Sequence, residues 1–309
     1  MSDSEGSDSE FEFGPSEYLV YRVLSELREQ FGGENGRTKV HKLCILTERN
    51  LRQDYNREIG LPQYWYKYGQ MLAESEIDTS VAYTPDANYK RGQAYYPANQ
   101  VSESDFDHLS EDLKDDIFRA ARETILDHGN KSYKDLEKYQ YENFAPFEFI
   151  ETYGDLRWYL ASLSLDKDQM TFEHFTDTEQ KSTIEEMLDD MLVAFDEEEF
   201  PEIHSLYLDW DDTMRLLNDN GASARELLEF TEMFIEAFAK AVLRLKSSSN
   251  VSEERIEEWR KEKDTILQDL KDKIQRSREN ELATRNISGE LGSVSEAYNQ
   301  SIEEELKDL

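Results

Sequence analysis

Apolar residues recur at three- and four-residue steps along most of this chain, the period of helices that bury one face. From Ser16, read as an N-cap, the stripe Val20, Val23, Leu24, Leu27 and Phe31 predicts a first helix that Gly32 and Gly33 end. A second is predicted from Arg37, with Val40, Leu43, Cys44, Thr47 and Leu51 on one face. The aromatic run Tyr64-Trp65-Tyr66-Lys67-Tyr68-Gly69 is too short for periodicity to separate strand from helix, and a short helix is expected from about Leu72 to Val81. Residues 89–97 alternate and give the clearest strand or small-hairpin signal. A helix from about Asp105 to His128 follows, with Leu109, Leu113, Ile117, Ala120 and Ala121 inward and Gly129 as its C-cap.

Ala145-Pro146 breaks the pattern and marks the expected domain boundary. Beyond it come a segment over 147–163, a stripe of Ile184, Met187, Leu188, Met191, Leu192 and Phe195, and a third helix headed by the capping-box pair Ser223 and Glu226. That helix carries Phe230, Phe234, Phe238, Ala241, Val242 and Leu245 on one side, as core. Between Ser252 and Glu279 charges nearly cancel, and Ile256, Trp259, Ile266, Leu270 and Ile274 leave a narrow seam. Lys263 interrupts the heptad, so the seam is expected to dock on its own domain instead of forming a coiled coil. The expected class is mainly α: a helical domain over 15–145 with a small β-hairpin or wing-like element, then an all-α region over 146–280. An acidic leader, 1–14, is expected to be disordered, and 281–309 to form a weak helix or fraying tail.

Composition adds an environment. Asp and Glu number 69 against 35 Lys and Arg, a net charge of -34 that would repel itself in dilute buffer. At molar salt the Debye length falls to about 3 Å, and the carboxylates instead hold hydrated cations at the surface. A salt-rich cytoplasm is therefore expected, in preference to nucleic-acid mimicry. Disorder of the whole chain is excluded by aromatic residues spread through the apolar stripes. Cys44, the single cysteine, permits no intrachain disulfide and no thiolate zinc cluster. No signal-peptide pattern and no run of about 18 apolar residues is present, so neither export nor membrane spanning is expected.

Candidate chemistry is sparse. Leu206-Tyr207-Leu208-Asp209-Trp210-Asp211-Asp212-Thr213 matches the D-x-D-x-T string of phosphatases related to haloacid dehalogenase, with Asp209 as nucleophile and Asp211 as acid and base. That chemistry needs an α/β sheet and a phosphate nest, whereas only helical periods follow. Asn218-Asp219-Asn220-Gly221 lacks the acids of a calcium loop and is read as a turn. His41, His108, His128, His174 and His204 lack metal spacing, and no glycine-rich phosphate loop occurs. No catalytic, cofactor or metal site is expected.

One local anomaly remains. Between Arg37 and Lys67 seven basic residues (Arg37, Lys39, Lys42, Arg49, Arg52, Arg57, Lys67) face three acids, inside a strongly acidic chain. With Tyr64, Trp65, Tyr66 and Tyr68 they could form a cationic, ring-rich docking face, or they could pair internally while the rings form core.

The same stretch carries a resemblance. Lys39-Val40-His41-Lys42-Leu43-Cys44-Ile45-Leu46, then Tyr64-Trp65-Tyr66-Lys67-Tyr68-Gly69, resembles the Panacea (SocA-like) domain associated with antitoxins, over about residues 16–145. Gln70 stands where that family has Pro after the glycine, and Ile45 and Leu46 where an aromatic is common. The resemblance implies a helical domain with a small β-element that acts by protein–protein contact, neutralising a toxin or serving as an adaptor. The expected function is a non-enzymatic interaction module, an antitoxin or adaptor, with a protein partner such as a toxin. A DNA-binding alternative places the helix from Arg37 to Leu51 in a groove with 89–97 as a wing, against the overall charge. A hydrolase at Asp209 and Asp211 is the third reading.

Overall fold

The computed structural model describes residues 12–32, 35–82, 94–95, 101–166 and 177–307. In chain order the elements are α1 (Pro15–Phe31), β1 (Asn35–Gly36), α2 (Arg37–Asp54), β2 (Gln63–Tyr66), β3 (Gly69–Leu72), β4 (Ala94–Tyr95), α3 (Glu111–His128), α4 (Tyr133–Phe144), α5 (Glu148–Asp166), α6 (Asp177–Ala194), α7 (His204–Asp219), α8 (Ala224–Phe238), α9 (Arg244–Ser247) and α10 (Glu253–Lys307). The protein is mainly α with a small antiparallel hairpin. It divides into two compact units: Met1–Ala145 with Leu243–Glu258, and Pro146–Val242 with Trp259–Leu309.

In the first unit α1, α2 and α3 pack on one another, and α2 also meets β3 and α4. Pro15 opens α1 where its missing N–H is no loss, so the cap is Gly14 and not Ser16. Phe13 packs on Phe106 at 5.5 Å, and its carbonyl accepts a hydrogen bond from His108 Nε2 at 2.9 Å, which takes it out of the expected disordered leader. Residues 1–11 lie outside the described residues. The tetrapeptide Gln63–Tyr66 pairs with Gly69–Leu72, Tyr66 opposite Gly69, so the aromatic run is a strand and the expected Leu72–Val81 helix is two 3₁₀ turns instead. Of the predicted strand over 89–97 only Ala94–Tyr95 is described, paired with Asn35–Gly36; the remainder lies outside the described residues. The helix expected from Asp105 begins at Glu111 after a separate turn, Glu103–Phe106, and α4 has no counterpart in the expectations.

A return segment completes this unit. Gln63 and Ser249 exchange both backbone hydrogen bonds, at 2.9 and 2.8 Å, and Trp65 N donates to Ser247 Oγ at 2.9 Å. Residues 247–249 thus satisfy the outer edge of β2, which would otherwise invite pairing with another chain.

In the second unit α5 packs on α6 and α8, and α7 packs on both of those. Its core is aromatic: Phe149, Phe195, Phe200, Tyr207, Trp210, Phe234 and Phe238 are buried, with Phe195 stacked on Tyr207 at 4.1 Å. Ser223 and Glu226 form the predicted capping box, the Ser223 side chain accepting from Glu226 N. Trp259, Leu270 and Ile274 of the α10 seam are buried, as a docked helix requires. The helix continues unbroken to Lys307, with no separate tail helix. No described helix is long and apolar enough to cross a membrane.

Cys44 is fully buried in the middle of α2, and burial pushes its thiol above the ordinary range. The native protein is expected to resist labelling by a thiol reagent, and one equivalent should react once denaturant is added. Rapid native labelling would show that α2 is not enclosed.

Candidate functional site

Every residue from Val40 to Glu48 is buried, so α2 is covered on all sides and not amphipathic as predicted. Its polar members are accommodated by partners. His41 Nε2 meets Glu74 Oε1 at 2.9 Å, and burial lowers the imidazole pKa against the pull of that carboxylate. Glu48 accepts from Leu61 N at 3.3 Å, Gln63 Nε2 at 2.7 Å and Arg52 at 3.0 Å. Lys42 Nζ donates to Tyr68 O and, at 2.8 Å, to Gln140 Oε1. The middle of α2 is thus enclosed, and its exposed residues are at its ends, Arg37 and Arg52 to Asp54.

The predicted docking residues are placed as follows. Arg37 pairs with Glu74, which also holds His41. Lys39 donates to Gly129 O at 2.6 Å, and partial burial lowers its pKa. Arg49 lies over the Phe144 ring at 4.1 Å and bonds Gln70. Arg52 bridges Glu48 and Glu58, and Arg57 pairs with Asp116. Trp65 is buried edge-to-face against Tyr141, at 5.4 Å. Tyr64 and Tyr66 lie on the opposite face of β2, half-buried, with Tyr68 continuing the row and Lys67 over its ring at 5.0 Å. Lys42 and Trp65 therefore sit inside the unit, which corrects the picture of one open cationic face. Local positive charge here neutralises acids and clamps the hairpin.

This arrangement joins the strings 39–46 and 64–69. Lys42 from the first reaches the carbonyl of Tyr68 in the second, beside Gly69, whose φ of +88° follows the two-residue turn.

Asp209 and Asp211 lie within α7 and not at a strand end. Thr213 Oγ1 donates back to Asp209 O at 2.7 Å, and Asp211 is bound by Arg215, so the string is helical and its acid is already engaged. Among the described residues no group of His, Cys, Asp and Glu could hold a metal ion.

A different surface emerges at the end of α1 and the α3–α4 turn. Phe31, expected in the core, is 47% exposed; Leu126 is 58% and Tyr133 47% exposed. The Phe31 ring covers Gly129: a Cβ there would lie 2.5 Å from Phe31 Cε2. Leu126 and Tyr133 flank that glycine on the last turn of α3 and the first of α4. Lys39 is tied to the same residue from α2. Lys131 donates to His128 Nδ1 at 2.9 Å and lies over the Tyr139 ring at 4.9 Å, and burial together with Lys131 lowers the His128 pKa. Arg28 and Lys134 are exposed nearby in the chain. Asp135 is held in the α4 cap by Ser132, and its pKa is lowered by that cap and by the nearby Lys131. The signal for this face in the sequence is faint: Phe31 fits the α1 period, yet as the last residue of the helix, before Gly32, it is exposed.

No family model, curated protein or solved structure matches this chain.

Proposed function

We propose that this protein is a protein–protein interaction module, of adaptor or antitoxin type, working in a salt-rich cytoplasm. The observation that supports it is the exposure of three large apolar side chains, Phe31, Leu126 and Tyr133, around Gly129 in the first unit. Exposed apolar anchors suit a partner that presents apolar side chains, and they keep their strength in salt, which screens the surface charges around them. The resemblance of the first unit to the Panacea domain points the same way, to contact in place of catalysis.

The test uses the full chain in molar KCl with a photo-crosslinking residue at Tyr133. A discrete crosslinked protein is expected, and Leu126→Glu should reduce it at least tenfold. Val193→Glu, at an 87% exposed apolar position in the second unit, should leave it unchanged. Equal crosslinking in all three proteins, or none in any, would overturn the reading.

A further inference from the structure

In the second unit α10 outruns the body that buries it. Its buried side chains end at Ile274, and every described side chain from Gln275 to Ala283 is exposed or half-buried, Leu282 at 44%. The helix nevertheless continues to Lys307, roughly 50 Å further at about 1.5 Å per residue, against about 28 Å for the 19 residues of α5. Little holds that extension helical by itself. Gly289 and Gly292 fall inside it, each less favourable than alanine by about 1 kcal/mol, and helices in water depend on packing of an apolar face. Such a face is written in the sequence. From the exposed Ala283, the chain places Ile287, Leu291, Val294, Tyr298, Ile302 and Leu306 at steps of four, four, three, four, four and four.

We propose that this stripe pairs with the same stripe of a second copy of the chain, the two helices running antiparallel. Two features of the sequence single out that occupant. The first is spacing that is close to a palindrome. With the two-fold axis beside Val294, Ile287 falls opposite Ile302, Leu291 opposite Tyr298, and Ala283, the smallest member, opposite the larger Leu306. A two-fold contact of this kind closes on itself, so it stops at a dimer. The second feature is charge, which sets the orientation. In a parallel pair Glu303, Glu304 and Glu305 would meet the same three carboxylates of the other copy, whereas antiparallel helices bring them to the end that carries Arg285. Copies of net charge -34 repel at low ionic strength, but at about 1 M salt the Debye length of about 3 Å removes that repulsion and leaves the apolar seam. The pairing uses a different element from the Gly129 face and does not depend on that face having a partner.

Introduced cysteines read the register directly, because the native Cys44 is buried. In molar KCl the full chain is expected to sediment as a dimer, and Leu291→Lys as a monomer that keeps the wild-type thermal unfolding of the second unit's aromatic core. On oxidation Val294→Cys should link to itself. Ile287→Cys and Ile302→Cys should each link at least tenfold less alone than when mixed with one another. A monomeric wild type would overturn the proposal and leave the stripe folded on its own unit. A dimer that survives Leu291→Lys, or the absence of a disulfide in every variant, would overturn it as well. Self-linking of Ile287→Cys as strong as that of the mixture would show the helices parallel, against the register proposed.

Discussion

Arg215→Met is expected to destabilise the second unit by about 3 kcal/mol, the lower end of the cost of stripping one partner from a buried ion pair, since the site is partly open to solvent. Arg215 gathers three carboxylates: Asp211 at 2.9 Å, Glu185 at 2.8 Å and Asp189 at 2.9 Å. Asp211 is the buried member, and burial raises its carboxyl pKa against the opposing pull of Arg215. Methionine keeps most of the apolar stem but leaves Asp211 with Glu185 and Asp189 nearby and no cation. Thermal unfolding should shift by on the order of 10 °C, from about 2–4 °C per kcal/mol for a body of this size.

The sign of the pH dependence separates this cause from lost packing. A carboxyl whose folded pKa lies above its unfolded value costs stability progressively as pH rises through that interval. Without Arg215 the folded pKa of Asp211 rises further, so the deficit of the variant should be full at neutral pH and shrink as Asp211 protonates on acidification. The double variant Asp211→Leu, Arg215→Met should regain most of the loss, because an apolar pair of similar volume needs no desolvated charge. A deficit independent of pH, and not recovered by the double variant, would mean that the guanidinium stem and not its charge holds α7 in place.

That ion cluster shows where the sequence was informative and where it was not. The α8 stripe was legible because Phe230, Phe234 and Phe238 repeat at helical spacing and are buried, whereas the helix over 204–219 was not expected. Asp211 falls within that helix, and nothing in a pattern of types tells a buried, paired aspartate from a solvated one. In α2 the helix and its predicted face were legible, but the burial of its other face was not. Val40, Leu43, Cys44 and Leu51 describe one buried face, but His41, Lys42 and Glu48 are buried too, each by a partner distant in the chain: Glu74, Gln140 and Gln63. The local excess of positive charge was visible in the composition, yet its assignment to internal pairs depended on where Glu74 and Asp116 arrive. The return of residues 247–249 to β2 was likewise beyond reach, since Ser247-Ser248-Ser249 reads as an ordinary linker.

The second large effect is expected at Gly69, where Ala should cost the first unit about 3–4 kcal/mol, in the range of the most damaging single substitutions. Two penalties combine. With φ at +88° any L residue is strained, by roughly 1–2 kcal/mol. The larger part is steric and electrostatic: a Cβ would lie 2.6 Å from Gln140 Oε1 and 2.9 Å from Lys42 Nζ. Those atoms are the buried clamp between α2, the hairpin and α4, so relief requires Lys42 to leave an acceptor while its charge stays inside. Asn separates the two terms, because it tolerates left-handed backbone but carries the same Cβ. Gly69→Asn should therefore be nearly as harmful as Gly69→Ala by urea unfolding in molar salt. Were Asn close to wild type, backbone strain alone would account for the glycine. The contact between Lys42 and the hairpin would then be loose enough to give way, and α2 and the hairpin would not be locked to each other through that ammonium.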